Sequence, residues 1–589
     1  MKQFLLTFLA VVAAFVAVYI LGFVCIVGLL AMLGSGSESP KVKPNTVLFF
    51  DISKNVVERS DSDPMSSMMR KFNGDEESIG LDEIVDKIAS AADDDNIVGI
   101  ALEGGDIGAS PASLEQIRTS LLDFKESGKF IYSYANDYSQ RGYYLATVAD
   151  KIMLTPEGMA EISGVTFQTM FYAELLKKLG IKAQVIRHGK FKSAVEPAIL
   201  NEMSEASRLQ MQTLANTIWG RMTADIAEAR GIGTDQINLT ADSLFSVDSR
   251  RMVAEGYIDS LIYRDQYLSF IKQTVGIDEA DDIESVSLAL YTCPGSDDDI
   301  AYSDNSIALI YADGQIYDGH SDDTDDIYGD DIARTIREAR RDTTVKAIVL
   351  RVNSPGGSAL ASDVIWREVK LAREAKPVVV SMGTYAASGG YYISCAADTI
   401  VAEATTLTGS IGVFGLFYTA KGLTEKIGIN IDGVKTNACA DFGRINRPLT
   451  AYERALLQKH VESTYATFIS RCAEGRKMTT AQIDSIGQGR VWAGADALRL
   501  GLVDRIGHLD DAIDIAARMA DLGDDYDIEI LPEAEDSFSK LMRQLGGNAR
   551  LSIARHLLGA DYDLVGKANA ARKLGNGVQA RMEYDIVMQ

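Results

Sequence analysis

Residues 386–392 read Ala386-Ala387-Ser388-Gly389-Gly390-Tyr391-Tyr392, and the triplet Gly142-Tyr143-Tyr144 precedes Gly390-Tyr391-Tyr392 by 248 positions. The spacing persists outward. Without a gap it pairs Asp150 with Asp398, Ile152 with Ile400, Gly164-Val165 with Gly412-Val413, and Gly180-Ile181 with Gly428-Ile429. Upstream, Gly104-Gly105 falls on Gly356-Gly357 at a spacing of 252, and downstream Gly256-Tyr257-Ile258-Asp259 falls on Gly501-Leu502-Val503-Asp504 at 245. Self-similarity at one long period marks a duplication, here of residues 44–295 and 305–533 joined by a polar linker, 296–304. In the second copy, 306–311, 347–352 and 377–381 are short apolar runs and 362–374 has helical periodicity. Strands alternating with helices predict an α/β fold with a parallel sheet in each copy. Residues 204–230 and 450–474 predict amphipathic helices in matching places, suited to packing on the other repeat or on another subunit. Residues 534–589 have no counterpart in the first copy and read as a helical tail.

The 589 residues are 47% hydrophobic and 24% charged, a globular composition that excludes disorder and is long enough for more than one core. With 58 Lys and Arg against 83 Asp and Glu, the net charge of −25 argues against a nucleic-acid partner. The five cysteines contain no CxxC pair and the five histidines no HExxH, so neither a zinc site nor a disulfide framework is expected. The acidic run Asp322-Asp323-Thr324-Asp325-Asp326 lacks the Gly and Glu of an EF-hand loop and reads as solvated. No metal or organic cofactor is expected. From Phe4 to Leu33 no residue is charged. As a helix that run would reach about 45 Å against a hydrocarbon core of about 30 Å, longer than a cleavable signal's apolar region. Residues 1–43 therefore predict an uncleaved membrane anchor.

Chemistry is expected where strands end, because open α/β sheets bind ligands there. Asn353-Ser354-Pro355-Gly356-Gly357-Ser358 follows one strand and the Ser388 segment follows the next. Ser388 has two readings: a nucleophile at a helix start, or a helix N-cap. A serine nucleophile needs a base, and none of His188, His320, His460, His508 and His556 lies in a compelling context. A lysine serves instead where burial disfavours its charged form. Lys192, in Gly189-Lys190-Phe191-Lys192-Ser193-Ala194-Val195-Glu196-Pro197, lies among apolar and small residues.

At these residues the chain resembles the signal peptide peptidase A family in its long, membrane-anchored, tandem-repeat form. These are serine/lysine peptidases related in fold to Clp protease and crotonase. The resemblance covers residues 1–533 and is carried by 190–197, 353–357, 386–392 and Thr408-Gly409-Ser410-Ile411-Gly412, in that order. It implies that Ser388 is the nucleophile and Lys192 the general base. It also implies cleaved signal peptides as substrates, a bacterial inner membrane location facing the periplasm, and a homotetramer. The N–H groups of Gly389 and of Gly356 or Gly357 are candidates for the oxyanion hole. Ser410 is a candidate for orienting the lysine, with an ordinary turn residue as its alternative.

The 248-residue spacing adds an argument of its own. It carries Lys192 onto Ala440 and Ser388 onto Gln140, so neither copy holds both groups. A working dyad must form between repeats, within one chain or between chains, once per chain. Two rivals remain at this stage: a catalytically inactive membrane scaffold, and a crotonase-like enzyme whose paired N–H groups hold the enolate of an acyl coenzyme A.

Overall fold

The computed structural model describes residues 42–59, 78–293, 303–321, 326–532 and 578–582. The apolar run 4–33, most of the linker and most of the acidic run 322–326 lie outside the described residues. Among the described residues no helix is long and apolar enough to cross a membrane.

Runs such as Ile348-Val349-Leu350 and Val378-Val379-Val380 are apolar at every position, which suits strands covered on both faces, and all six side chains are buried. They belong to an eight-stranded sheet in the second copy. Its main path runs Val491–Ala493, Leu407–Gly409, Val378–Ala387, Val345–Ser354, Ser306–Asp313, Asp527–Leu531, with Thr399–Ala402 also paired to Val378–Ala387 and Arg505–Ile506 paired in turn to Thr399–Ala402. Only the Val491–Ala493 pairing is antiparallel. The first copy forms a six-stranded parallel sheet: Ser260–Leu261, Lys151–Leu154, Phe130–Ala135, Ile97–Glu103, Thr46–Asp51 and Ser285–Ser287.

The duplication extends to single hydrogen bonds. Asp150 accepts from the Ile131 N–H at 2.8 Å as Asp398 accepts from Val378 at 3.0 Å, and Asp259 accepts from Ile152 as Asp504 accepts from Ile400, both at 2.8 Å. The Tyr143 hydroxyl donates to the Tyr257 carbonyl as Tyr391 donates to Leu502. Helices Glu205–Arg230 and Ala451–Arg476, each of 26 residues, occupy matching places.

One proposed equivalence fails. Gly142 and Gly390 correspond, yet a Cβ on Gly142 would strike the Gly105 carbonyl whereas one on Gly390 would meet that of Ser354. Gly105 therefore stands opposite Ser354, not Gly357. The following helices, Pro111–Glu126 and Ala359–Arg373, again start 248 apart, which leaves no room for the shift to 252. Gly108, bridged to Asn55, holds the place that Gly357, paired with Ile316, holds in the second copy.

A third sheet joins the repeats. Its order is Ile327–Tyr328, Ile316–Tyr317, Gly356–Ser358, Val578–Arg581, Val413–Thr419, Lys182–His188. The last pair is antiparallel and matches Lys182 with Thr419 through His188 with Val413, one strand from each repeat. Val578–Arg581 corrects the expected helical character of 534–589 at this point: these residues are extended because two strand edges flank them.

The long helices cross the repeat boundary. Met211 and Leu214 of the first pack with Ala387 and Leu407, and Gln210 Oε1 accepts from the Val491 N–H at 2.8 Å. Arg454 of the second donates to the Val185 carbonyl at 2.9 Å. Deep between the copies, Arg351 Nε donates to Glu58 Oε2 at 2.9 Å while its Nη1 donates to Ser381 Oγ at 2.8 Å. Both members of this ion pair are buried.

Arg351→Met strands the Glu58 carboxylate and is expected to destabilise the chain by about 3–5 kcal/mol in denaturant melts, with much of the loss recovered in Glu58→Leu/Arg351→Met. Equal stability of the single variant and the wild type would show that the pair does not join the repeats.

Candidate active site

Ser388 follows the strand Val378–Ala387 directly and precedes the short helix Gly389–Ser394. Its φ of 56° and ψ of −109° are unusual for a residue with a side chain, a conformation that costs on the order of 1–3 kcal/mol and must be held by its surroundings. The hold comes from two backbone bonds: Ser388 N–H to the Gly409 carbonyl at 2.8 Å, and Tyr392 N–H to the Ser388 carbonyl at 2.9 Å. The side chain makes no N-cap hydrogen bond. The capping alternative is thereby removed, and the hydroxyl points elsewhere.

It meets Lys192. Lys192 lies just beyond the strand Lys182–His188, and its Nζ stands 2.8 Å from Ser388 Oγ, 2.9 Å from Ser410 Oγ and 3.1 Å from the Ser410 carbonyl, donating to each. Lys192 is 1% exposed, and Ser388 and Ser410 are equally enclosed. An amine withdrawn from water needs such acceptors.

Close backbone approach fixes the lysine stem. A Cβ on Gly489 would lie 2.6 Å from Lys192 Cβ, and one on Gly412 would lie 2.6 Å from Gly489 Cα and 3.2 Å from Lys192 Cδ. The Phe191 N–H donates to the Gln488 carbonyl at 3.0 Å, and the Ser410 N–H to that of Arg490 at 2.7 Å. The Arg490 guanidinium lies over the rings of Phe191 and Trp492, and partial burial lowers its pKa. Behind the Ser354 loop, Asn353 Nδ2 donates to Asp313, whose carboxyl is pushed up to about 6 by burial and then by the charge of Glu58.

The candidate oxyanion donors separate. The Gly356 N–H already donates to Ser354 Oγ at 3.2 Å. Gly389 N lies 2.6 Å from the point a Gly356 Cβ would occupy, and φ of +97° at Gly356 reserves that position for glycine. Gly357 and Gly389 thus remain as candidates. His188 is stacked on Tyr465 with ring centroids 4.0 Å apart, and His508 pairs with Glu403, so neither meets the serine. The Gly487-Gln488-Gly489 turn that backs Lys192 carries no chemistry of its own and gave no signal in the sequence.

The corresponding places of the other copies carry different residues. Gln140 Oε1 accepts from the N–H groups of Ser163 and Gly164, and its Nε2 donates to the Gly164 carbonyl at 2.9 Å. It thus ties down the loop matching Ile411-Gly412. Ala440 is exposed.

A sequence model of Peptidase family S49 matches residues 123–278 and 370–523. Protease 4 of Salmonella typhi is 35% identical over 570 residues, covering 94% of this chain and 91% of that protein. Protease 4 of Haemophilus influenzae is 34% identical over 540 residues, covering 87% and 85%. The chloroplastic serine protease SPPA of Arabidopsis thaliana is 31% identical over 521 residues, covering 87% and 75%.

Proposed function

The chain belongs to peptidase family S49, and on that premise we propose that it is a serine endopeptidase degrading cleaved signal peptides and similar apolar peptides through a Ser388/Lys192 dyad. The observation that carries the dyad is the 2.8 Å contact between two buried side chains from different repeats. Withdrawal from water penalises a lysine's ammonium form, and the neutral amine is the form that accepts a proton. With Lys192 neutral, the Ser388 hydroxyl donates to Nζ. As Oγ attacks the scissile carbonyl, its proton passes to Nζ, and the carbonyl electrons move onto oxygen. The Gly357 and Gly389 N–H groups stabilise that oxyanion. Collapse breaks the C–N bond, Lys192 returns the proton to the leaving amine, and the acyl group stays on Ser388 until Lys192 activates a water. Ser410 orients Nζ through its hydroxyl and its carbonyl. The inactive scaffold leaves this convergence without a purpose, and an acyl coenzyme A reaction leaves the serine unused.

The charge-free run 4–33 supports an anchor in the bacterial inner membrane, with the body on the periplasmic side. The repeat pattern supports a homo-oligomer, a tetramer by family resemblance. Lys182–His188 pairs with Val413–Thr419 inside the chain. At a spacing of 248, their counterparts are 430–436 and 165–171. Among the described residues neither is paired with a strand, and they expose Ile431, Val434 and Met170. Pairing 430–436 of one copy with 165–171 of the next repeats the internal contact head to tail, a contact that closes into a ring when its rotation permits.

Hydrolysis of a quenched apolar peptide by the full chain is expected to fall at least about a thousandfold in folded Ser388→Ala and Lys192→Ala. A fluorophosphonate adduct should map to Ser388. Loss of one Lys192 contact in Ser410→Ala should lower kcat by roughly five- to a hundredfold. Full activity in either dyad variant contradicts the assignment at that position, and a wild type that neither cleaves nor labels favours the scaffold. For the assembly, Val434→Asp is expected to lower the oligomer mass in solution, and an unchanged mass rules this edge out.

A further inference from the structure

The Gly487-Gln488-Gly489 turn against which Lys192 rests is itself held from behind. Gln488 and Gly489 have φ of 54° and 82°, and Gln488 carries a side chain, so its conformation must be fixed by its surroundings. One fixing bond comes from the long helix Ala451–Arg476. The Gln488 N–H donates to the Tyr465 hydroxyl at 3.2 Å, and that hydroxyl donates in turn to Asp484 Oδ1 at 2.6 Å. Burial, and after it the bond to Asp484, raises the pKa of the phenol, so the hydroxyl keeps its proton. The ring is 3% exposed and stacked on His188, the last residue of the strand that leads to Lys192. Tyr465 thus touches the turn through its hydroxyl and the lysine's own strand through its ring.

The first copy shows the same place where no lysine is received. At a spacing of 246, set by the helices Glu205–Arg230 and Ala451–Arg476, Tyr465 falls on Trp219 and Asp484 on Asn238. Trp219 Nε1 donates to Asn238 Oδ1 at 2.7 Å, so the side-chain bond between the two helices is kept. An indole N–H only donates, whereas a phenol hydroxyl donates and accepts. The backbone differs with it. Gly487, Gln488 and Gly489 fall on Ala241, Asp242 and Ser243, which complete the helix Thr234–Ser243, whereas the helix Thr480–Ile486 stops at Gly487. The helix is broken in the copy that receives Lys192, and in that copy the facing side chain can accept an N–H from the break.

We infer that Tyr465 is a positioning residue for Lys192, its hydroxyl, anchored on Asp484, holding the turn that keeps the lysine stem in reach of Ser388 and Ser410. The inference rests on the peptidase reading for the lysine's role as base; the support of the turn rests on the hydrogen bonds and on the contrast between copies. The connection is short. Gln488 is followed by Gly489, whose backbone approaches Lys192 so closely that a Cβ there would lie 2.6 Å from Lys192 Cβ. Without the hydroxyl the Gln488 N–H loses its acceptor, the turn relaxes and water reaches Nζ.

In the full chain, Tyr465→Phe is expected to lower kcat for a quenched apolar peptide about three- to tenfold with KM unchanged. Asp484→Ala should act in the same direction, and Asp484→Asn, which keeps an acceptor oxygen as Asn238 does, should recover most of that loss. Tyr143→Phe deletes a buried hydroxyl of the first copy that bonds the Tyr257 carbonyl, and should leave both constants as in the wild type. A second readout needs no hydrolysis. In chains labelled with carbon-13 at lysine Cε, the signal that vanishes in Lys192→Ala reports the titration of this amine. Its midpoint is expected to rise by at least about half a pH unit in Tyr465→Phe, because water favours the ammonium form. The charged groups beside the lysine loop are Arg187, whose Nη1 donates to the Lys192 carbonyl, and Arg490 over Phe191, and both are retained in every variant. An unmoved midpoint in folded Tyr465→Phe overturns the inference, and equal impairment in Asp484→Asn and Asp484→Ala overturns the anchoring. A wild type that does not hydrolyse peptides would sink the peptidase reading, while the carbon signal would still decide the positioning.

Discussion

A lysine nitrogen taken out of water must find acceptors, and Lys192 finds them on the far side of a repeat boundary. Its Nζ reaches two serines of the second copy, while its stem is gripped by Gly489 and Gly412 of that same copy. Neither half can satisfy this lysine alone. The strand pairing of Lys182–His188 with Val413–Thr419 sets the height of the lysine loop, and the long helices hold the sheets at the matching distance. Ser388 adds a second demand, because its backbone sits in a costly conformation that only a fixed frame sustains.

The duplication then explains why there is one such centre per chain. At the place of Ser388 the first copy has Gln140, which uses its amide to fasten the Ser163-Gly164 loop. A side chain with one donor and one acceptor group closes the loop that, in the second copy, borders Ser388. At the place of Lys192 the second copy has Ala440, in exposed chain. The first copy still opens a cleft of about 620 Å³ at its strand ends, lined by Gly104, Gly105, Asp106 and Ser139 among others, but without the lysine. The fold was duplicated, and each copy supplies one member of the Lys192–Ser388 contact.

Much of this was legible in the sequence because it is local or periodic. The apolar runs 347–352 and 377–381 lie within the strands Val345–Ser354 and Val378–Ala387, and 204–230 and 450–474 match the long helices to within two residues at each end. The expectation that Lys192 and Ser388 meet between repeats followed from two unlike residues at a fixed spacing. What escaped notice depends on distant partners. Residues 578–581 are too few to display a period, and their extended form is imposed by edges more than 150 residues away. The doubled glycines at 104 and 356 looked equivalent because a glycine pair is a weak marker, and only the carbonyls packed on Gly142 and Gly390 reveal the true register. The N-cap reading of Ser388 was reasonable for a serine before a helix, and it fails on backbone conformation, which composition does not encode.

The central claim is that base and nucleophile belong to one chain and meet across its internal repeat boundary. Mixing folded Lys192→Ala chains with folded Ser388→Ala chains, under conditions that exchange subunits, and assaying peptide hydrolysis tests it most directly. The account predicts no recovery, because every intact lysine then shares its chain with an alanine at position 388. Recovery to a substantial fraction of wild-type activity would place the two groups on different chains and contradict it.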